Sequence, residues 1–402
     1  MANLILFDGD VRTHLLPLTF SRPVAALRVG TLTIAEKWER QLGLPASYLT
    51  QDYLSELFPL HYGDHNLLIN GSVLPTPEIL AQVLDLDLGE AYLQGSTLIA
   101  ACLDRAAVRA LVEDRDFGEL SAFDLGEQEL LRIRRPADLF ALNGTALGED
   151  FALLTAGRQS QPLPASNVLI GPPERLFIEE GVSVEACTIN VTGGAVYLAR
   201  GATLMEGCLV RGPLSVGEGS TLKMGAKVYA NTTVGPACKV GGEVNNVVFL
   251  GNSNKGHDGF LGNAVVGEWC NLGADTNASN LKNDYGDVRV WNYAEERFAP
   301  SGRQFHGLIM GDHSKAGINT MFNTGTVVGF SSNVFGEGFP RPFIPSFAWG
   351  GAGGFQTYRV DKALATARRV LARRGRELSA AEEAMFRAIL AETAPRRSWE
   401  KG

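Results

Sequence analysis

Aliphatic residues recur at a strict step of six: Leu198, Leu204, Val210, Val216, Leu222, Val228, Val234 and Val240. An α-helix repeats every 3.6 residues and a strand every two, so neither gives this spacing. A step of six is the pattern of a left-handed parallel β-helix built from hexapeptide repeats. Each hexad forms one short side of a triangular coil and points its aliphatic residue inward. The residue four further on is small or slender in most hexads: Ala202, Cys208, Ser220, Ala226, Thr232 and Cys238. That suits a tight corner. Gly217, Gly235 and Gly241 directly follow their aliphatic residues. The step resumes at Phe260, Val266, Leu272 and Ala278, and again at Met310, Ala316, Phe322, Val328 and Val334. The coil is therefore expected from about Ile178 to about Val334. A β-sandwich would alternate with period two, and this stretch does not.

Composition sets the outer limits. A chain of 402 residues is long enough for two or three domains. A formal net charge of −8 with no long basic stripe argues against nucleic acid as the main partner. The five cysteines form no CxxC pair, which fits buried thiols in a reducing cytoplasm. The opening MANLILFDGD reads as a buried strand, not a signal peptide, and no apolar run is long enough to span a membrane.

Before the coil, strand and helix alternate. Asn3 to Phe7, Leu67 to Ile69 and Thr97 to Ala101 read as strands. Thr33 and Glu36 form a capping box ahead of Ile34, Trp38 and Leu42, and Thr76 caps a helix opening on Pro77. This alternation predicts a mainly parallel sheet covered by helices, with ligands at the carboxyl ends of strands. Residues 157–167, GRQSQPLPASN, read as a linker. The expected organisation is an α/β domain over 1–160, the coil over 161–340, and an extended segment with two helices over 341–402. Arg368, Arg369, Arg373, Arg374 and Arg376 cluster on the first of those helices, as a solvated face or as a contact for phosphates.

The run NKGHDGFLGNAVVGEWCNLGADTNASN carries a Gly-His, then an aromatic-Leu-Gly, then Asn-aliphatic-Gly-Ala. It resembles the GlmU-type bifunctional enzymes, which join glucosamine-1-phosphate N-acetyltransferase to UDP-N-acetylglucosamine pyrophosphorylase. The resemblance implies His257 as catalytic base and Asn271 and Asn280 as site residues. It also implies Lys227 on the sugar phosphate and Glu243 on the sugar. A tyrosine of the family is Phe260 here, a lysine is Asn245 and a second tyrosine is Leu281. It further implies acetyl-CoA as acyl donor and a homotrimer, with the segment around Trp291, Tyr293 and Phe298 reaching a neighbouring copy. A histidine suits the chemistry, being largely free base at neutral pH yet a useful proton acceptor. Read alone, His257 is better taken as a surface turn residue, and the flanking KGH, FLG and NLGA strings reverse that preference. His306 and His313 give no metal-ligand spacing with it.

The amino-terminal stretch resembles sugar nucleotidyltransferases. Asp8-Gly9-Asp10-Val11-Arg12 stands for the Gly-rich loop, and Pro17-Leu18-Thr19 through Arg22-Pro23 keeps the PLTxxRP spacing. Gly9, Arg12, Arg22 and Arg28 are the implied nucleotide-binding residues, with UTP and a sugar phosphate as substrates. The signature lysine is Val24. The aspartate that would hold Mg²⁺ is missing from Leu68-Ile69-Asn70-Gly71-Ser72, so Asp8 or Asp10 would have to replace it. The metal ligands stay undefined. Two readings of this half remain open: an active nucleotidyltransferase, or a degenerate domain that only binds nucleotide. A non-enzymatic nucleotide-sensing scaffold is the third reading of the whole chain.

Overall fold

The computed structural model describes residues 2–114 and 119–400. Packing divides the chain into two compact units. The first comprises Met1–Leu15, Ser21–Leu27 and Leu32–Arg134; the second comprises Leu16–Phe20, Arg28–Thr31 and Arg135–Gly402.

The first unit holds a six-stranded sheet. Its strands are β1 (Asn3–Phe7), β2 (Ala46–Leu49), β3 (Asn66–Asn70), β4 (Glu90–Gln94), β5 (Thr97–Leu103) and β6 (Ser121–Asp124), in the order β2-β1-β3-β5-β4-β6. β1 lies parallel to both β2 and β3, as the alternation predicts. The expectation of a mainly parallel sheet fails at β5, which runs antiparallel to both β3 and β4. The cause is local. Gln94 pairs with Thr97 across a two-residue Gly95-Ser96 turn, a hairpin that leaves no room for a crossover helix. The Thr33/Glu36 capping box forms as expected: the Glu36 carboxylate accepts from Thr33 N–H at 2.6 Å, and Glu36 N–H donates to the Thr33 hydroxyl at 3.1 Å.

The second unit carries the helices Pro136–Ala141 and Asn143–Thr155, then a parallel β-solenoid of about ten turns, then two further helices. Leu198 pairs with Val216 and Val216 with Val234, and Leu204 with Leu222 and Leu222 with Val240, so three hexads make one turn. All eight residues of the step-of-six series are at most 2% exposed and fill a single core. Three residues after six of the eight aliphatics the corner takes the left-handed backbone region, at Gly201, Gly207, Gly219, Gly225, Asn231 and Ala237.

Three expectations need correction. Paired rungs begin at Val168 and continue to Gly350, beyond both expected ends. The segment after Val334 does not simply run along the coil, because Ile344 stacks on Val328 and adds a rung. Leu261, not Phe260, is the inward residue of its rung; Phe260 sits outward beside Glu243. Val240 stacks on Lys255, only fifteen positions on, and this short turn breaks the phase until Val266.

The carboxyl-terminal helices are Val360–Ala372 and Ala380–Thr393. Ser379 and Glu382 form a capping box at the start of the second, which buries Phe386 and Ile389.

Candidate active sites

The turn from 255 to 260 carries the first site. His257 is exposed on a corner between two faces of the coil. The backbone of residues 257–259 packs over Gly242, where an added Cβ would come within 2.9 Å of the His257 carbonyl; Gly242 has φ +72°. Glu243 follows Gly242, so the corner and Glu243 are locked side by side. Lys227, Glu243 and Phe260 occupy consecutive rungs of one face. Lys227 is exposed and Glu243 half-buried. A cation, a carboxylate and an aromatic ring thus line up next to the histidine.

Asn271 does not join that row. It lies on another sheet of the coil, in a ladder Lys239–Asn254–Asn271–Lys315. Asn280 belongs to a third arrangement, a stack of asparagines on successive turns. Asn280 Nδ2 donates to Asn263 Oδ1 at 2.8 Å, and the Asn263 amide donates to Asn246 Oδ1 at 3.0 Å. Asn246 in turn donates to the Asn231 carbonyl at 3.2 Å, and Asn143 donates to the same carbonyl at 2.8 Å. The amide of Asn280 therefore closes a structural ladder.

Lys255 is a site residue that the sequence pattern did not single out. It occupies an inward, aliphatic position and is 1% exposed. Its ammonium donates to the Gly241 carbonyl at 3.1 Å and to the His257 carbonyl at 2.9 Å. Burial pushes its pKa down to about 8, opposed by the charges of Asp258 and Asp275. The Lys-Gly-His string is a signal that could have drawn attention to it, but pairing with a backbone carbonyl is invisible in sequence.

His306 is buried with Nδ1 3.1 Å from the Gly307 carbonyl, and burial pushes its pKa down to about 4. His313 stacks on Trp269 and packs against Phe386. Among the described residues no group of three His, Cys, Asp or Glu is placed to hold a metal ion. The segment around Trp291 folds as a hairpin, Arg289–Asn292 with Arg297–Pro300. Trp291 stacks on Phe343 with centroids 4.1 Å apart, and Tyr293 is buried, so both rings are occupied within the chain. On and after the helix Val360–Ala372, Arg368 pairs with Glu383, Arg376 with Glu382, and Arg374 donates to Asn254 Oδ1 at 3.5 Å.

The second site lies at the carboxyl ends of β1 and β3. Gly9 takes the left-handed conformation, φ +58°, and faces Asn70. Asp8 is buried. Its oxygens accept from Val24 N–H at 2.6 Å and from the Thr50 hydroxyl at 2.5 Å, with Arg12 at 4.0 Å. Burial raises its pKa in spite of those partners. Arg12 is also buried and donates to the Tyr53 hydroxyl at 2.7 Å; Arg22 is equally buried. Arg28 is placed differently. It falls in the second unit, where its guanidinium donates to the carbonyls of Leu250 and Thr31. The neighbouring Gly30 N–H donates to Asn143 and Thr31 N–H to Asp150, so this segment is clasped by helix Asn143–Thr155. Arg28 is thus a tether.

Residues 4–159 match the family described as sugar nucleotidyl transferase. The chain thus joins a region similar to sugar nucleotidyl transferases, over residues 4–159, to a parallel β-solenoid. Part of it is similar to proteins named bifunctional protein GlmU. A bifunctional protein GlmU of Methanococcus aeolicus is 35% identical over 102 residues, which is 25% of this chain and 23% of that one. A bifunctional sugar-1-phosphate nucleotidylyltransferase/acetyltransferase of Sulfurisphaera tokodaii is 32% identical over 93 residues, 23% of each chain. The chain thus spans less than a quarter of the length of these relatives. Among solved structures, the polySia-specific acetyltransferase NeuO is similar with 12% identity and a TM-score of 0.28, over 52% of this chain and 94% of that one.

Proposed function

We propose that the chain carries out two reactions of amino-sugar nucleotide synthesis. In the first, the amine of glucosamine 1-phosphate attacks the thioester carbonyl of acetyl-CoA. His257 takes the amine proton as the C–N bond forms, the C–S bond breaks, and CoA leaves as its thiol. Lys227 holds the sugar phosphate as a charge-assisted donor, and Glu243 accepts from the sugar. In the second, an oxygen of N-acetylglucosamine 1-phosphate attacks the α-phosphorus of UTP and displaces pyrophosphate, with Arg12 and Arg22 on the phosphates. The reading takes the working form to be a cytoplasmic homotrimer, with donors seated between coils so that Asn271 of one copy can complete a site.

The observation that carries the reading is the placement of His257 on an exposed corner locked against the Lys227–Glu243 row. A second reading, an acyltransferase whose amino-terminal unit binds nucleotide without turning it over, is favoured by the occupied oxygens of Asp8. One experiment separates them. The protein is incubated with glucosamine 1-phosphate and acetyl-CoA, then with UTP and Mg²⁺, and products are weighed by mass spectrometry. N-acetylglucosamine 1-phosphate followed by UDP-N-acetylglucosamine supports both reactions. The first product alone supports the second reading, and neither product refutes the proposal.

A further inference from the structure

We propose that Phe260 is the platform on which the acceptor's pyranose ring stacks, beside the carboxylate of Glu243. The inference rests on the reading of the Lys227–Glu243 row as an acceptor site, and gives the aromatic ring of that row a contact of its own.

Phe260 faces out of its rung while Leu261 faces in. Its ring is only half-buried. A phenyl ring has no polar atom to offer a ligand, so what it can give is its face. The negative face of an aromatic ring attracts the weakly positive C–H groups of a partner. A pyranose carries such C–H groups on the faces of its ring and its hydroxyls around the edge. Stacking therefore leaves the edge free for hydrogen bonds, and Glu243 stands one rung away to accept them.

The coil holds this ring down. Gly262 is the next outward residue of the same strand, and it is buried. A Cβ there would come within 2.7 Å of Phe260 Cζ and 3.0 Å of Phe260 Cε1. The ring thus lies across the face of the coil, in the space a side chain at 262 would take, and does not stand out into solvent. The same Cβ would come within 2.6 Å of Asn280 Nδ2, so the tip of the ring is backed by the asparagine ladder. The backbone beneath is fixed as well. Phe260 N–H donates to Asn277 Oδ1 at 2.7 Å, and Asn277 Nδ2 donates to the Asp275 carbonyl at 2.9 Å. A ring placed in advance loses little freedom when a ligand lands on it.

Spacing along the face agrees. Lys227, Glu243 and Phe260 lie on consecutive rungs. Neighbouring strands are about 4.7–4.9 Å apart, so the cation and the ring are set roughly 9.5 Å apart along the coil. One amino-sugar phosphate spans that stretch, with its phosphate at Lys227, its hydroxyl edge at Glu243 and its ring on Phe260. His257 lies on the corner just before Phe260, which keeps an amine on the stacked ring near the base.

The test is titration of the full chain with glucosamine 1-phosphate, followed by calorimetry and by proton NMR of the ligand. It is run on wild type, Phe260→Leu, Phe260→Tyr and Gly262→Ala, with a melting curve for each. In wild type the sugar's ring C–H protons should shift upfield on binding, the mark of an aromatic ring beneath them. Phe260→Leu should abolish that shift and weaken binding about three- to tenfold, the worth of an aromatic contact, with the melting temperature held. Phe260→Tyr retains the face and should retain both shift and affinity. Gly262→Ala pushes the ring aside and should behave like Phe260→Leu although the phenyl is still present. Absence of binding by wild type, absence of the upfield shift, or wild-type affinity in Phe260→Leu or Gly262→Ala overturns the inference. If Phe260→Leu does not fold, the wild-type shift and Gly262→Ala decide. Binding that depends on Phe260 without acetyl transfer would sink the proposed reaction and leave this inference standing. Acetyl transfer with binding unimpaired in Phe260→Leu would do the reverse.

Discussion

The coil and the amino-terminal unit use opposite means to place a functional side chain. In the coil most turns repeat one geometry, so outside the stretch from Val240 to Val266 a position in the hexad fixes whether a residue faces in, out or a corner. Lys227 and Glu243 are aligned by strand pairing, and His257 lies on the corner after the short turn that ends at Lys255. In the amino-terminal unit no grid exists. Asp8 meets Thr50, and Ser72 meets both Asn70 and Arg132, through segments that lie far apart in the chain. A periodic scaffold makes a site readable from the chain, whereas convergent loops make it readable only from the fold.

Four substitutions sharpen the contrast. The largest effect is expected from His257→Ala. Loss of a general base costs ~10²–10⁴ in rate. An exposed corner side chain adds little packing, so the melting temperature should hold. Thiol release against time, beside a melting curve, reads both. A mutant that keeps most of its rate would make His257 a turn residue.

The next effect belongs to the other region. Arg12→Ala and Arg22→Ala should each impair uridylyl transfer by roughly 1.5–3 kcal/mol, the worth of a charge-assisted hydrogen bond, while acetyl transfer is spared. Pyrophosphate release and thiol release on the same preparations check this. Loss of both activities together would break the independence of the two sites.

The smallest effect tests how the grid carries a cation in its core. Lys255→Met puts an apolar chain into an aliphatic rung, so the coil should not lose stability at neutral pH. It also removes the donor that fixes the His257 carbonyl, and kcat for acetyl transfer should fall about tenfold through misplacement of the base. Sign follows from the pKa, about 8 in the folded chain against an ordinary 10.5. Between those values the unfolded chain holds the proton and the folded chain does not, so wild-type stability should rise with pH across that window. In Lys255→Met that rise should vanish, as melting curves from pH 7 to 10.5 would reveal.

Much of this was legible in the sequence, unevenly. The step of six places all eight core residues from Leu198 to Val240, because the period is a direct image of the turn. It misplaces Phe260, since one short turn shifts the phase and composition alone does not mark where the shift falls. The family-like motif leads to Asn280, but the ladder with Asn263 and Asn246 arises from stacking between turns. In the amino-terminal half, the Gly9 loop and β1 are legible as local patterns. The Gly95-Ser96 hairpin is not, because alternating elements read the same whether the next strand returns parallel or antiparallel. Nor does local spacing link Arg132 to Ser72, sixty residues away. Arg28 is a further case: grouped by sequence with Arg12 and Arg22, it is folded into the second unit by contacts with Thr31 and Leu250.

The central claim is that the coil is an acetyltransferase acting on an amino-sugar phosphate. Its most direct test is thiol release from acetyl-CoA by the wild-type chain, measured with and without glucosamine 1-phosphate. The account predicts release that depends on the acceptor and saturates with it, matched mole for mole by N-acetylated product. Release that ignores the acceptor, or no release across a panel of amino-sugar phosphates, would contradict it.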